Sequence, residues 1–335
     1  MIFLKIVMPR TNTEPVIINN IDDKFETLLF SPKNLNVQRF GEGGLRKKKI
    51  FKIGNIKNPL ISIVTTNLND DIESTILSVI EQKYENIEFI IKDGGSNENT
   101  LRILKFYDKN IDYWVSEKDS GIWDGTNKGV ILANGDFIVI LDSGDLLNKG
   151  AINNIVELIH KNPNADCLLG SCLKQRLMHG YRPSDISLHF NIFASNSGAF
   201  FLKKNAYKKI GLYDTQYISS ADYDLVYKMI VKHKMLGICG VKNNILSIKP
   251  EGGFSDKYSF FKTLYDECRI RYNNKQNIFI ILFIYFGRCF KKVINKLNRH
   301  HGNKYSKFKN DTITEIEIQK ARNYYQSVIN KRKYA

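Results

Sequence analysis

The sequence lacks the marks of several functional classes. It contains five cysteines among 335 residues, an odd number with no C-x-x-C pair: Cys167, Cys172, Cys239, Cys268 and Cys289. Its six histidines are scattered and form no H-E-x-x-H motif. These absences argue against a disulfide framework and a zinc site, and suit a reducing cytosol. Nor does any pattern suggest a Ser-His-Asp hydrolase.

Long hydrophobic runs are also missing. Residues 278–286 are nine consecutive apolar residues, about half of what a membrane-spanning helix needs. The first ten residues, MIFLKIVMPR, are too short and too interrupted for a signal peptide, and no small-residue cleavage site follows. The sequence therefore predicts neither a spanning helix nor a signal peptide.

Acidic residues are absent between Cys268 and Asn310, where eleven Lys or Arg supply most of the net charge of +16. Apolar residues recur at helical spacing there, with basic residues between them: Phe286, Phe290, Val293, Ile294 and Leu297, then Arg288, Lys291, Lys292, Lys296 and Arg299. This pattern predicts a helix lying in a membrane interface and attracted to anionic lipid. The alternative is a core-packed helix with a solvated basic face. RNA binding is disfavoured, because no RNP or KH pattern accompanies the charge.

From Pro59 onward, apolar strand patterns alternate with helical ones. The predicted strands are residues 60–65, 87–92, 113–115 and 137–141, and the predicted helices are 71–82, 100–107, 122–133 and 149–160. This alternation predicts an α/β fold with a mostly parallel central sheet and right-handed crossovers. Ligands of such sheets bind outside the carboxyl ends of the strands, where the charged and glycine-rich segments of this chain fall.

The segment D-S-G-D, Asp142 to Asp145, follows a wholly apolar strand. Two carboxylates there would repel each other unless a cation or another partner sits between them. A divalent metal with hard oxygen ligands suits this position and would also hold a diphosphate, close to Ser143. The alternative is a β-turn with an aspartate capping the following helix.

Two other segments also follow predicted strands. Asp93 ends a strand, and Gly94 after it permits a sharp turn and close approach to a ligand. Asp93 is a candidate acceptor for a nucleobase N–H, or else part of a plain turn. Lys118–Gly129 combines Asp124, Asn127 and Lys128 with Trp123. Lys128 would offset phosphate charge while Asp124 and Asn127 bind hydroxyls, or the whole segment is a solvated helix end.

Asp222 and Asp224 follow two serines in I-S-S-A-D-Y-D-L. Acids in a first helical turn usually serve the helix dipole. A carboxylate facing a sugar donor would instead take a proton from an attacking hydroxyl. Residues 251–255, E-G-G-F-S, include Gly252 and Gly253 and predict a loop able to close over a bound diphosphate.

Together these segments resemble bacterial family-2 glycosyltransferases of the GT-A fold, most closely those that build O-antigens and other surface polysaccharides. The ordered motifs are PLISIVTTNLND, IIKDGGSNENTLRIL, IDYWVSEKDSGIWDGTNKG, FIVILDSGD, ISSADYDL and EGGFS, and the likeness runs from about Gly43 to Ser255. The sequence departs from the family where Gly144 replaces an acid, Leu68 a tyrosine, and Asn196 and Ser197 a His-Gln pair.

The resemblance implies a role for each matching residue. It assigns nucleotide-sugar binding to Thr65, Asn69, Asp93, Gly94, Asp124, Asn127, Lys128, Asp142 and Ser143. It implies that Asp145, with Asp142, ligates Mn²⁺ or Mg²⁺, and that Asp222 is the general base of an inverting transfer. It leaves Asp224, Gly252, Gly253 and Trp123 as possible acceptor or loop residues.

The implied enzyme transfers a hexose from a nucleotide-diphosphate sugar to a polyprenyl-diphosphate-linked glycan. The resemblance to the family suggests UDP as the nucleotide. The implied location is the cytoplasmic face of the bacterial inner membrane, without nucleic acid as a partner. We expect an N-terminal extension at 1–58, a GT-A domain at 59–265 and a helical, basic, membrane-associating region at 266–335. The alternatives are a sugar nucleotidyltransferase of similar fold and a non-catalytic membrane-surface protein.

Overall fold

The computed structural model describes residues 38–187, 197–250, 258–300 and 312–334. An eight-stranded sheet forms its centre, in the order β1-β4-β3-β2-β5-β10-β7-β11. Its strands are β1 (Arg39–Gly43), β2 (Ile61–Asn67), β3 (Ile87–Asp93), β4 (Tyr113–Glu117), β5 (Phe137–Ile140), β7 (Cys167–Leu169), β10 (Phe200–Lys203) and β11 (Gly237–Cys239). Strands β4, β3, β2 and β5 are mutually parallel, so their carboxyl ends share one edge.

Helices cover both faces of this sheet, as strand alternation requires: Val64 faces one side of the sheet and Ile63 the other. One layer contains α1 (Ile72–Ile80), α2 (Glu98–Phe106) and α4 (Ala151–Lys161). The other contains α3 (Ile122–Leu132), α5 (Lys204–Ile210), α6 (Ala221–Tyr227) and part of α7 (Phe260–Asn273). The predicted α/β class and central sheet are confirmed.

A second, four-stranded sheet has the order β6-β12-β8-β9. Its strands are β6 (Leu146–Leu147), β8 (Ser171–Leu173), β9 (Leu177–Met178) and β12 (Ile245–Ile248). Strand β12 pairs with β6 in antiparallel fashion and with β8 in parallel fashion. Helix α9 (Thr312–Ile329) packs its buried Ile318, Ala321 and Val328 against apolar residues of this sheet.

The basic lead-in before β2 contributes buried ion pairs. Arg46 donates to Glu88 of β3 at 2.5 Å, and Lys52 donates to Asp112 at 2.7 Å. Strand β1 pairs with β4 at the edge of the large sheet. Part of the predicted N-terminal extension thus lies in the sheet, and residues 1–37 fall outside the described ranges.

Helix α8 (Ile278–His300) follows α7 and contacts it, with Arg288 of α8 3.4 Å from Glu267 of α7. The predicted boundary at residue 265 therefore falls inside α7. In the ranges that the structure describes, no helix combines the length and apolar content needed to cross a membrane.

Candidate active site

Polar side chains from three neighbouring strands meet at the shared carboxyl edge of the sheet. Asn67 ends β2, and its amide donates to Asp93 of β3 at 2.8 Å. The hydroxyl of Ser143, after β5, donates to the side-chain Oδ1 of Asn67 at 2.8 Å. Asn67 therefore joins the predicted nucleobase residue to the D-S-G-D segment. Its role was not predicted from the sequence, although it lies between Thr65 and Asn69.

The D-S-G-D segment forms a turn in which the amide of Asp145 donates to the Asp142 carbonyl at 2.9 Å. Helix α4 begins after Gly150 without a side-chain cap, so the alternative that an aspartate caps this helix is wrong. The Asp145 carboxylate is buried, and burial raises its pKa to about 7, although Lys249 counteracts this. Asp142 is about one-third exposed and accepts from Ser197 at 3.3 Å.

Lys249 lies between the two aspartates. Its Nζ is 3.4 Å from Oδ2 of Asp142 and also 3.4 Å from Oδ2 of Asp145. Burial alone would lower the pKa of Lys249, but the two carboxylates together raise it. The sequence predicted that a cation or another partner sits between these acids, with a divalent metal as the suitable occupant, and Lys249 was not foreseen there.

The small sheet explains how Lys249 reaches the aspartates. Asp145 directly precedes β6, Lys249 directly follows β12, and Lys174 directly follows β8. The register pairs Ile248 with Leu146 on one side and with Leu173 on the other. The three charged residues are therefore next to one another across neighbouring strands. Lys174 lowers the pKa of Asp145 through its charge, after the larger effects of burial, Lys249 and Asp142.

Asp222 lies in the first turn of α6 and faces the same group of charges. Burial raises its pKa, and the negative charge of Asp142 raises it further while Lys249 lowers it. Although protein atoms surround the carboxylate, the residue is exposed and can be reached from solvent. Asp222 thus lies within electrostatic reach of Asp142 and Lys249, and the shared role of Asp142, Asp145 and Asp222 stays a prediction.

Two side chains of helix α3 bind the part of the chain that precedes Asp222. Asn127 exchanges two hydrogen bonds with the backbone of Tyr213, at 2.8 and 2.9 Å. Trp123 stacks on the Tyr213 ring with centroids 5.1 Å apart, and its indole N–H donates to the Ile218 carbonyl at 2.8 Å. In this arrangement Asn127 and Trp123 position the chain before α6, a role that the sequence analysis did not assign to them.

Lys128 pairs with two carboxylates, Asp119 and Asp124, at 2.8 Å each. Burial works to lower the pKa of Lys128, and these hydrogen bonds raise it overall. Lys92 of β3, fully buried, also contacts Asp119, and burial lowers its pKa. The contacts of Lys128 and Asp124 with phosphate and hydroxyl groups stay predictions.

The two residues predicted to bind the nucleobase, Asp93 and Thr65, are both buried. Asp93 is fully buried and accepts from Asn67, Ser96 and Ser116, so a nucleobase would compete with these donors. Thr65 is also fully buried, and its hydroxyl has no partner among the described residues. Their predicted contacts with the base stay predictions.

Three further residues belong to turns and helix ends. The side chain of Asn69 accepts from the Asn97 amide at 2.9 Å, and Gly94 donates to the Asn67 carbonyl at 2.8 Å. Asp224 is buried and pairs with Lys228 at 2.5 Å, a contact within the helix. Gly252 and Gly253 lie outside the described residues.

Asp142 and Asp145 fit a divalent metal only with help from other ligands. Within the described residues, no three His, Cys, Asp or Glu side chains are grouped closely enough to hold a metal ion. Mg²⁺ in phosphate-transferring sites is usually held by one or two carboxylates, substrate phosphates and water. The two aspartates supply that minimal protein set, with the remaining ligands left to a donor diphosphate and water.

Comparisons with known proteins find similarity to glycosyltransferases. The profile described as "Glycosyl transferase family 2" matches residues 61–217. An uncharacterized glycosyltransferase of Mycobacterium tuberculosis (strain CDC 1551 / Oshkosh) is 37% identical over 90 residues, covering 26% of this chain and 34% of that protein. One of Methanocaldococcus jannaschii is 27% identical over 195 residues, covering 53% of this chain and 67% of that protein. The chain therefore spans between about a third and two thirds of the length of these relatives.

Two further similarities concern proteins with more specific names. The putative teichuronic acid biosynthesis glycosyltransferase TuaG of Bacillus subtilis is 32% identical over 120 residues, 34% of this chain and 48% of TuaG. A crystal structure of S. aureus TarS 1–349 in complex with UDP has a TM-score of 0.51 and 16% identity, covering 67% of this chain and 70% of that one. This structural likeness supports the fold. Residues 61–217, which carry Asn67, Asp93 and Asp142 to Asp145, match the model of glycosyl transferase family 2.

Proposed function

We propose that this chain is an inverting glycosyltransferase that moves a hexose from a nucleotide-diphosphate sugar to a hydroxyl of a glycan acceptor. The observation that carries the proposal is that Asp142 and Asp145 both contact Lys249, while the charges of Asp142 and Lys249 act on Asp222. Asp142 and Asp145 both lie in the turn between β5 and β6, whereas Asp222 lies in α6, about 80 residues later in the sequence. A purely structural turn and a helix cap would not need to face each other.

Asp222 is the proposed general base. Its carboxylate takes the proton from the acceptor hydroxyl, whose oxygen bonds to the anomeric carbon while the bond from that carbon to the diphosphate oxygen breaks. Attack from the face opposite the leaving group inverts the configuration. The raised pKa of Asp222, caused first by burial, makes its carboxylate a stronger proton acceptor.

The D-S-G-D segment is the proposed site for the donor diphosphate. Asp142 and Asp145 would hold Mn²⁺ or Mg²⁺, which when bound offsets the charge that develops on the leaving diphosphate. Ser143, fixed by Asn67, lies at the same edge as Asp93. The edge therefore offers places for base, ribose and diphosphate in succession along the strand ends.

The donor experiment uses the purified full chain with MnCl₂ and a lipid-diphosphate-sugar acceptor. We expect one of UDP-, GDP- or dTDP-hexoses to give transfer or slow hydrolysis with release of the nucleoside diphosphate. UDP is the first choice, because TarS binds it in a similar fold. Release of pyrophosphate from a nucleoside triphosphate would instead indicate a sugar nucleotidyltransferase. No turnover of any donor, with no nucleotide binding, would contradict the proposal.

The proposed acceptor is a polyprenyl-diphosphate-linked glycan of surface polysaccharide synthesis, reached from the membrane surface. Helix α8 supports this, because it exposes an aromatic stripe at helical spacing: Phe279 (77% exposed), Phe283 (71%), Phe286 and Phe290. Lys291 and Lys292 are exposed on the same helix. Apolar side chains flanked by lysines are typical of helices that lie in the interface of anionic membranes.

Vesicle binding tests this surface. We expect the protein to bind vesicles containing phosphatidylglycerol at low salt and to lose at least about 10-fold in partitioning when Phe283 and Phe286 are both replaced by serine, because burying each ring in lipid is favourable by roughly 1.5–3 kcal/mol. Co-sedimentation measures the partitioning. Ile56→Ser removes an apolar side chain that is 95% exposed elsewhere and serves as the control. Equal binding by all three proteins would rule out α8 as the membrane surface.

A further inference from the structure

The position of Lys249 carries an inference that rests on the proposed function and extends it. The ammonium group occupies the space between the Asp142 and Asp145 carboxylates, 3.4 Å from each. Charge-assisted hydrogen bonds are usually about 2.7–2.9 Å long. Lys249 is therefore held by the charges of both acids but is not tightly hydrogen-bonded to either, and a small movement of its side chain would free it.

The charges of this group favour joint entry of a cation and a diphosphate. Lys249 and Lys174 act as positive charges on Asp145, and Asp142 and Asp222 are acidic neighbours of Lys249. A divalent cation entering alone would add two positive charges beside the Lys249 ammonium. A diphosphate entering alone would add negative charge beside the aspartates. Entry of both together adds little net charge, and Coulomb energies at separations of a few ångströms in a partly buried site make a charge excess costly.

The number of available ligands also favours joint binding of the cation and the diphosphate. Two carboxylates are too few to hold a divalent cation tightly, and both already contact an ammonium group. A diphosphate supplies additional oxygen ligands for the cation. It also supplies new acceptors for the Lys249 ammonium, which has three N–H donors.

We infer that Lys249 couples metal binding to donor binding: it occupies the place between Asp142 and Asp145 in the donor-free protein, and it transfers to the donor diphosphate when the metal takes its place. Lys249 is accordingly a diphosphate-binding residue as well as a barrier to metal binding in the absence of donor. The donor-free protein holds Mn²⁺ weakly, and the nucleoside diphosphate strengthens that binding.

The first test measures free Mn²⁺ by its electron paramagnetic resonance signal during titration of the purified chain with MnCl₂, alone and with saturating UDP, GDP or dTDP. We expect one nucleotide to tighten Mn²⁺ binding at least about 10-fold, within the usual range of coupling between two ligands. Equal Mn²⁺ affinity with and without a nucleotide that binds the protein would overturn the inference while leaving the proposed function intact. Failure of all three nucleotides to bind, even with Mn²⁺ present, would instead remove the proposed function.

The second test assigns the coupling to Lys249. Lys249→Met should bind Mn²⁺ without nucleotide at least about 5-fold more tightly than the unaltered chain and should lose most of the enhancement by the nucleotide. Lys249→Arg, which keeps the charge, should retain the enhancement. Lys161→Met removes an exposed lysine of α4 and should change neither quantity. If Lys249→Met unfolds, as thermal melting would show, Lys249→Gln replaces it. Full enhancement in the folded neutral variant would show that Lys249 has no part in the coupling.

Discussion

Replacing Asp222 by asparagine should lower transfer at least about 100-fold while the protein stays folded and still binds the nucleotide. Loss of a general base typically costs 10²- to 10⁴-fold in rate. The amide keeps the size of the carboxylate but cannot take the proton from the acceptor hydroxyl. The effect should fall on kcat, because Asp222 faces the charges of the donor site without lying between Asp142 and Asp145.

The comparison uses steady-state transfer to the lipid-linked acceptor, with nucleotide binding measured separately. Asp214→Asn is a matched control on the same segment, since the Asp214 side chain accepts a local hydrogen bond from the Gln216 amide at 3.0 Å. It should keep near-normal transfer. Asp222 would lose its assigned role if its asparagine variant turned over at a rate close to that of the control.

Replacing Asp145 by alanine should have an effect of similar size for a different reason. The change removes one of the two carboxylates proposed to hold the metal, and of the two aspartates that contact Lys249 at 3.4 Å it leaves Asp142. Transfer should fall at least about 100-fold, as is usual when an electrostatic group of a reaction site is lost. Mn²⁺ binding in the presence of nucleotide should weaken as well, which distinguishes this variant from Asp222→Asn.

A matched control for this change is Asp166→Ala. Asp166 lies just before β7 and accepts from the Leu236 amide, away from the D-S-G-D turn. Its loss should affect folding stability and spare Mn²⁺ binding. Normal transfer and normal Mn²⁺ binding by a folded Asp145→Ala protein would show that the D-S-G-D segment is only a turn.

The strands and helices of the large sheet could be predicted from the sequence because their apolar patterns are local. The predicted strand at 87–92 is β3 (Ile87–Asp93), and the predicted helix at 122–133 is α3 (Ile122–Leu132). The proximity of Asp93 to the D-S-G-D segment was also predictable, since both follow parallel strands whose carboxyl ends share one edge.

Lys249 could not be predicted in the same way. Its place depends on the pairing of three very short strands, β6, β8 and β12, and a strand of two to four residues has too little periodicity to fix a register. The double hydrogen bond between Asn127 and the Tyr213 backbone joins residues 86 apart, and no local pattern signals it. A search for lone lysines directly after short apolar runs would have found Lys249 and Lys174 along with many others.

Helix α9 has a consequence for how the protein is prepared. Its Ile318, Ala321 and Val328 pack on a cluster that includes Leu146, Leu173 and Ile248. Each of these three residues is the immediate neighbour of one of the charged groups Asp145, Lys174 and Lys249. If the chain were shortened after α8 to improve solubility, the apolar residues next to all three charged groups would lose their packing against α9. If this shortened protein were inactive, the cause would be the loss of packing behind the three charged residues. The result would not test whether the protein acts at a membrane.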